Sequence, residues 1–235
     1  MSDLYAALAA AASLIFSFDR DLVEIVLLSL RVSLTAVAVA AIIGLPLGGA
    51  LALFHFRGRK AVMVAINALM GLPPVVVGLV VYLMLSRAGP FGALGLLFTP
   101  TAMIIAQCCL VIPIIAALTR QTVEDLWEEM GEQLRSLGAG PGRALWTLLW
   151  EGRFSLLTAV LAGFGRASAE VGAVMIVGGN IDHVTRVMTT AIALETSKGD
   201  LALALGLGII LLILSTGVNG GAFLLKEAAQ KSQMS

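Results

Sequence analysis

Arg166 and Glu170 are charged residues inside an apolar stretch, four positions apart. This spacing brings two side chains together on one face of a helix. A charge inside an apolar environment is costly unless it is paired, so both residues are candidates for a functional site. Two interpretations stay open: a local ion pair that fixes helix packing, or a contact with a substrate. Arg31, well inside another apolar stretch, is interpreted as snorkelling outward or as lining a pathway.

No catalytic constellation accompanies these charges. The sequence has no His-Glu-x-x-His, no Gly-x-Ser-x-Gly, no acidic pair in its apolar stretches and no Walker-type phosphate loop. We therefore expect no catalytic residue and no ATP hydrolysis by this chain alone. Cys108 and Cys109 are adjacent and no spaced Cys/His set occurs, so we also expect no metal or cofactor site.

The composition indicates which solvent surrounds the chain. Of its 235 residues, 59% are hydrophobic and 13% are charged, whereas soluble domains carry about 25% charged residues. This deficit predicts that lipid surrounds most of the protein. The formal net charge is zero, which argues against a nucleic-acid partner, because such proteins show clustered excess basicity.

Five stretches are long and apolar enough to cross a bilayer, which takes about 20 residues: 22–54, 62–86, 99–119, 154–178 and 201–225. Residues 4–18 are apolar but shorter, so we expect an interfacial or partly inserted helix there. The sequence thus predicts an all-α membrane protein, a bundle of about five transmembrane helices with six possible. An N-terminal segment (1–21) and a tail (226–235) flank one membrane domain (22–225).

Lys and Arg are distributed unevenly between the two sides of these predicted spans. One side holds the loop FHFRGRK at 54–60, the central polar segment with Arg120 and Arg153 at its two ends, and the C-terminal tail, and it has nine such residues against four on the other. Since cytoplasmic loops carry the excess of Lys and Arg, we expect this side to be cytoplasmic, with the N-terminus and the loops 87–98 and 179–200 outside.

Small residues and prolines mark packing within the predicted spans. Gly44 and Gly48, and likewise Gly217 and Gly221, form small-xxx-small patterns that let helices approach closely in lipid. Prolines within the spans free carbonyl groups and bend helices; they are Pro46, Pro73, Pro74 and Pro113. Pro73 and Pro74 are candidates for a pathway or gate, and the alternative is that the prolines only shape packing.

The polar segment 121–152 has the pattern of two amphipathic helices joined by a turn. Apolar side chains recur at helical spacing at Val123, Leu126, Trp127, Met130, Leu134 and Leu137. Gly138 has the position of a helix C-cap, and Pro141 follows shortly after. A second, shorter helix is predicted to resume at Arg143. We call residues 121–152 the elbow.

The polar face of the first elbow helix carries Glu124, Asp125, Glu128, Glu129 and Glu132. A helix lying on the inner leaflet usually presents Lys and Arg, because that leaflet is anionic. Five carboxylates would be repelled there, so a protein partner is favoured over a membrane surface.

The motif Glu132-Gln-Leu-Arg-Ser-Leu-Gly138, followed by Leu148-Leu-Trp-Glu151, resembles the cytoplasmic motif of ABC-transporter permeases. Glu132 and Gly138 match that motif in identity and spacing; Gln133, Leu134, Trp150 and Glu151 depart from it. The stretches 71–78 and 169–181 are similar to oxyanion permeases, and the run Gly-Leu-Leu-Phe-Thr-Pro-Thr at 95–101 is most similar to tungstate-specific members. The resemblance covers about residues 22–225.

This resemblance implies the type I importer fold in the cell membrane of a prokaryote. It implies two copies of the chain that form an oxyanion pathway, most closely for tungstate, with molybdate or sulfate as the alternative. The implied partners are a cytoplasmic ATPase, which binds the ATP and Mg, and an extracytoplasmic oxyanion-binding protein. The implied coupling residues are Glu132, Arg135, Gly138, Ala139, Gly140 and Pro141. Asn180 is a candidate for an outer gate. An ion channel or a secondary transporter is the alternative of another class.

Overall fold

A computed structural model describes residues 9, 12, 13, 16, 17 and 19–234. The predicted short helix at 4–18 therefore lies largely outside the described residues. Over the described part the chain is helical and contains no strand. This agrees with the all-α fold predicted from the hydrophobic pattern.

Nine α-helices follow one another along the described residues. They are α1 (Arg20–Leu53), α2 (Arg59–Met70), α3 (Pro74–Leu85), α4 (Pro100–Ser136), α5 (Pro141–Glu151), α6 (Arg153–Ser168), α7 (Gly172–Gly178), α8 (Met188–Lys198) and α9 (Leu201–Met234). A short 3₁₀ helix covers Gly92–Leu94. Helix α8 was not predicted, because residues 179–200 read as a polar loop; Thr190 holds its start by accepting the Val187 N–H at 3.1 Å.

Three helices in the described part are long and apolar enough to cross a membrane, and two bent pairs bring the number of candidate spans to as many as five. The single helices are α1, α4 and α9; the bent pairs are α2 with α3, at 106°, and α6 with α7, at 59°. The predicted number of spans is thus compatible with the structure. Within 62–86 and 154–178 the helix is broken, so each of these two stretches is a bent pair and not one straight helix.

The first break coincides with a proline pair, as the sequence indicates. Pro73 is the N-cap of α3 with an extended backbone, and Pro74 is its first residue, a position that needs no N–H donor. Pro46 and Pro113, by contrast, lie inside the uninterrupted helices α1 and α4. The second break, at residues 169–171, contains no proline.

Helix α4 continues where the sequence suggested a change of element. The predicted span 99–119 and the first elbow helix form one helix of 37 residues. No glycine or proline separates residues 114 to 130, so nothing in the backbone ends the helix at the boundary between apolar and amphipathic sequence.

The contacts divide the chain into two compact units. Unit 1 comprises residues 1–36, 73–107 and 167–219, and unit 2 comprises residues 37–72, 108–166 and 220–235. In unit 1, a core forms where α1, α8 and α9 meet, with Leu22, Ile25, Met188, Ala191 and Leu207 buried together.

In unit 2, α1 packs closely on α4 through the first predicted small-xxx-small pattern. A Cβ at Gly48 would lie 2.3 Å from the carbonyl oxygen of Ala116, so only glycine allows this approach. Around Gly217 and Gly221 the structure has open space instead. That second pattern makes no close contact among the described residues.

Candidate elbow and pathway residues

The elbow turn lies between α4 and α5, where the sequence predicts it. Gly138 has a φ of +73°, a conformation that costs other residues energy. The Gly138 N–H donates to Arg135 O and the Ala139 N–H donates to Leu134 O, both at 3.0 Å. This pair of bonds is the Schellman motif, which satisfies carbonyls at the end of a helix. The predicted C-cap is confirmed.

The second arm of the elbow begins immediately after this turn. Gly140 is the N-cap of α5, and Pro141 occupies its first position, where the missing N–H has no cost. One face of α5 buries Ala144, Leu145 and Leu148. Helix α5 therefore has a fixed inner face, and the turn sets its direction relative to the end of α4.

The apolar face predicted for the first arm packs inside the chain. Val123 and Leu134 form a buried cluster with Ala52, Ala144 and Leu148, and three further predicted residues (Leu126, Trp127 and Met130) pack against it. Leu137 does not join them and is 77% exposed. The elbow is thus a rigid corner attached to the end of α1, and its tip is uncovered.

The charges of the elbow differ in one respect from the sequence prediction. Asp125, Glu128, Glu129 and Glu132 are exposed, as expected for a polar face. Glu124 instead forms ion pairs with Arg59 and Arg120, so it does not contribute an unbalanced charge to that face. Four carboxylates, rather than five, remain on the outer side.

Two predicted coupling residues have defined surroundings in the structure. Arg135 is exposed, and its guanidinium lies 5.3 Å from the centre of the Trp127 ring, a cation–π distance. Glu132 lies one turn before it and is exposed. The six predicted coupling residues therefore surround a single turn, and all but Ala139 are exposed.

Tryptophans flank the elbow on α5. Trp146 and Trp150 are 66% and 70% exposed, and the guanidinium of Arg153 lies 4.9 Å from the Trp150 ring centre. Exposed tryptophans stacked with Arg are typical of the interface between lipid and water. The outer side of α5 thus has the character of a membrane boundary.

In unit 1, the break between α6 and α7 is held by polar contacts. Glu170 is 3% exposed, and its Oε1 accepts the Ala173 N–H at 2.9 Å. Gln107 of α4 donates to Ala167 O at 3.1 Å, and Thr189 of α8 donates to Glu170 O at 2.8 Å. A carboxylate that accepts an N–H in the first turn satisfies donors that the break leaves without a helical partner.

Arg166 lies before this break and Glu170 lies within it. Arg166 lies in the last turn of α6, and the break follows it, so the two residues do not share one continuous helix. The ion pair and the contact with a substrate remain the two predictions for these side chains. Glu170 acts at the start of α7 through its contact with the Ala173 N–H.

The proline break brings α3 against α7 in unit 1. Gly78 of α3 lies against the backbone of Ala173, where a Cβ would be 2.7 Å from the Ala173 Cα. The opposite side of α3 exposes Val75, Val76, Leu79, Val80, Leu83 and Met84. Pro73 and Pro74 thus position a short helix with one face packed and one apolar face open.

Asn180 lies in a tightly built loop that follows α7. It has a φ of +49°, and its Nδ2 donates to Thr190 O at 3.4 Å. The hydroxyl of Thr185 donates to Gly178 O at 2.6 Å and accepts the Ile181 N–H at 2.9 Å. Backbone in the left-handed region of a non-glycine residue is strained and is often found at functional sites.

His183 of the same loop contacts the start of α1. Its Nδ1 lies 3.1 Å from Glu24 Oε2, and Arg186 pairs with Asp182 at 2.7 Å. The hydrogen bond to Glu24, and then the charges of Asp182 and Glu24, raise the pKa of His183 above its ordinary value. Arg31 is exposed and lines a groove of about 530 Å³ together with Arg20, Glu24 and His183.

A polar groove between α4 and α6 was missed by the sequence analysis. It has a volume of about 320 Å³ and is lined by Leu118, Gln121, Thr122, Asp125, Ser155, Thr158 and Ala159. A second groove, lined mainly by apolar side chains of α1, α5 and α6, lies in the same unit. The spacing of Ser155 and Thr158 places two hydroxyls on one helix face, and this spacing could have indicated the polar groove.

Comparison with known proteins decides the family. The sequence model described as "binding-protein-dependent transport system inner membrane component" matches residues 44–226. The chain belongs to this family. Its fold is therefore the type I permease fold of ABC importers, and it is a membrane subunit of a transport system.

Individual relatives agree over most of the chain. The tungstate uptake system permease protein TupB of Peptoclostridium acidaminophilum is 43% identical, over 93% of this chain and 96% of the relative. A probable anion ABC transporter permease protein of Haloferax volcanii is 42% identical (84% and 88% covered), and TupB of Campylobacter jejuni is 35% identical (89% and 87% covered). Permeases named for sulfate and molybdenum transport match at 27% and 29% identity.

Proposed function

We propose that this chain is the permease subunit of an importer that carries an oxyanion, most closely tungstate, into the cell. Two copies of the chain form the pathway, and each copy docks one cytoplasmic ATPase subunit. A binding protein outside the membrane delivers the oxyanion. The names of the relatives support the substrate class, and the permease family supports a separate ATPase and a separate binding protein.

The observation that carries the proposal is the construction of the elbow. The apolar face of its first arm is buried against α1 and α5, so this arm does not need a lipid surface to cover it. Around the turn the elbow exposes Leu137 together with Glu132, Arg135 and Arg143. A folded corner that presents an apolar side chain among charged side chains of both signs fits a groove on a protein partner.

The proposed orientation places the elbow and the C-terminus in the cytoplasm. The excess of Lys and Arg on that side supports it, and an ATPase is present only there. The loop that contains Asn180, Asp182, His183 and Arg186 then faces outward, where the binding protein docks.

The proposed mechanism is a switch between an inward-open and an outward-open state. The ATPase binds the elbow more tightly in one of these states, and so ATP binding shifts their populations. The ATP and Mg belong to the ATPase.

Tungstate is proposed before molybdate or sulfate. The relatives named for tungstate are 43% and 35% identical, above the values for sulfate and molybdenum permeases. Tungstate and molybdate have the same charge and tetrahedral shape, and the binding protein therefore supplies much of the discrimination between them.

Purification and ATP turnover test the proposal. The chain, tagged and extracted gently from its own membranes, is expected to bring a P-loop ATPase in equal amount. In reconstituted vesicles, the binding protein loaded with tungstate should stimulate ATP hydrolysis more than the same protein incubated with molybdate or sulfate. A larger stimulation of ATP hydrolysis with molybdate or sulfate would mean that this anion, and not tungstate, is the substrate.

A chain that purifies alone even after mild cross-linking would contradict the proposal. Oxyanion flux that is independent of ATP, or an ionic current through vesicles that contain only this chain, would favour a secondary transporter or a channel.

A further inference from the structure

Arg59 makes contacts that join three parts of unit 2. It is the first residue of α2, and its Nε donates to Leu51 O at 2.6 Å while its Nη2 donates to Ala52 O at 3.2 Å. These carbonyls end α1, whose last turn contains no basic residue. The guanidinium therefore serves as the cationic cap of α1.

The same guanidinium also reaches the first arm of the elbow. Its Nη2 lies 2.7 Å from Glu124 Oε1, and the other oxygen of Glu124 accepts a bond from Arg120. Arg59 and Glu124 are 65 positions apart in the sequence, whereas Arg120 and Glu124 are on one helix. Only the first ion pair connects different elements.

We propose that Arg59 and Glu124 are positioning residues that transmit movement of the elbow to the end of α1 and the start of α2. The inference rests on the proposed function, because it assigns a role to residues that support the coupling elbow. A force on the elbow moves α4, and the Glu124 carboxylate carries Arg59 with it. Helix α2 then leads along the chain to the break at Pro73.

The geometry of this link favours transmission over a simple surface contact. The Arg59 and Glu124 side chains are 22% and 31% exposed, so water screens them only in part. An isolated exposed pair would contribute little, but here the planar guanidinium is fixed by two backbone carbonyls as well. A side chain held at three points moves with the elements that hold it.

The chain supplies a matched control in Arg120. Arg120→Gln removes one guanidinium from the same carboxylate and leaves the link between elements intact. Glu124→Gln and Arg59→Gln break the link. All three variants change one charge at the same cluster, so any difference between them reports the connection between helices.

The experiment measures oxyanion uptake and ATP hydrolysis together in vesicles that contain the complete complex. For Arg59→Gln and Glu124→Gln we expect ATP hydrolysis to continue and uptake per ATP to fall about fivefold or more, the lower end for coupling between two sites. For Arg120→Gln, uptake per ATP should stay near that of the unmodified chain. Arg59→Lys, which keeps a charge on Glu124 but not the planar fork, should give an intermediate value.

Three outcomes would overturn the inference. Uptake per ATP could be unchanged in Glu124→Gln, or reduced equally in Arg120→Gln, and the cluster would then act only as a local cap or charge centre. If Arg59→Gln failed to assemble, normal coupling in the milder Arg59→Lys and Glu124→Gln would still exclude transmission. An unmodified chain that carries no ATPase would refute the proposed function itself, whereas a normal complex with unaltered variants would refute only the link.

Discussion

Replacing Gly138 by Ala tests whether the elbow turn sets the affinity for the ATPase. Gly138 has a φ of +73°, whereas Gly140 has a φ of −67°. A Cβ would meet no atom within 4 Å at either position. Gly138→Ala and Gly140→Ala therefore add the same methyl group to open space and differ mainly in the backbone conformation.

The expected magnitude follows from this difference. A left-handed conformation costs a residue with a Cβ about 1–2 kcal/mol. The Gly138→Ala chain can relieve this strain by opening the turn when it is free, and it must restore the tight turn to dock. The dissociation constant for the ATPase is then expected to rise about five- to thirtyfold, since about 1.4 kcal/mol corresponds to a factor of ten. The Gly140→Ala chain needs no such change of conformation and should bind the ATPase with unchanged affinity.

The assay is titration of the purified ATPase onto the permease in lipid nanodiscs, with ATP hydrolysis stimulated by the binding protein as a second measurement. Thermal unfolding of each variant serves as a control for general damage. Unchanged affinity for the ATPase in both Gly138→Ala and Gly140→Ala would refute the reasoning. An equal loss in both would show that the tip requires a small surface, not a left-handed turn.

Three further predictions concern packing, the helix break and the outer loop. Gly48→Ala should destabilise the protein by about 1–3 kcal/mol, because the added Cβ would overlap the α4 backbone. Gly217→Ala, in open space, should leave the thermal midpoint unchanged. Equal midpoints for the two variants would contradict the close packing of α1 on α4. Glu170→Ala should lower the free energy of unfolding by about 1–3 kcal/mol, because it removes the acceptor of the Ala173 N–H. Glu170→Gln keeps an acceptor oxygen and should lower the thermal midpoint less. An equal loss of stability in both variants would mean that the negative charge of Glu170 is what matters. The pKa of His183 is raised in the folded protein. The stabilising effect of the protonated imidazole is therefore complete below the ordinary pKa of histidine and disappears as pH rises through the raised pKa. His183→Gln should lower the thermal midpoint at pH 5.5 and not at pH 9, and a loss of stability that is independent of pH would refute this.

The elbow could be predicted from the sequence because its signals are local. An apolar face at helical spacing, a glycine at the C-cap and a proline shortly after it each depend on a few neighbouring residues. The structure reproduces them at Leu134, Gly138 and Pro141. The ion pair between Arg59 and Glu124 could not be predicted in the same way. It joins residues 65 positions apart, and no periodicity reports which distant carboxylate an arginine meets.

The break between α6 and α7 shows why hydrophobicity alone misplaces function inside a membrane. Residues on both sides of 169–171 are equally apolar, so a hydropathy window reads one continuous span. The interruption frees backbone N–H groups where no water can bind them, and a membrane protein must satisfy such groups internally. Glu170 does so by accepting the Ala173 N–H. The buried carboxylate therefore lies where the backbone bends and satisfies a donor at the start of α7.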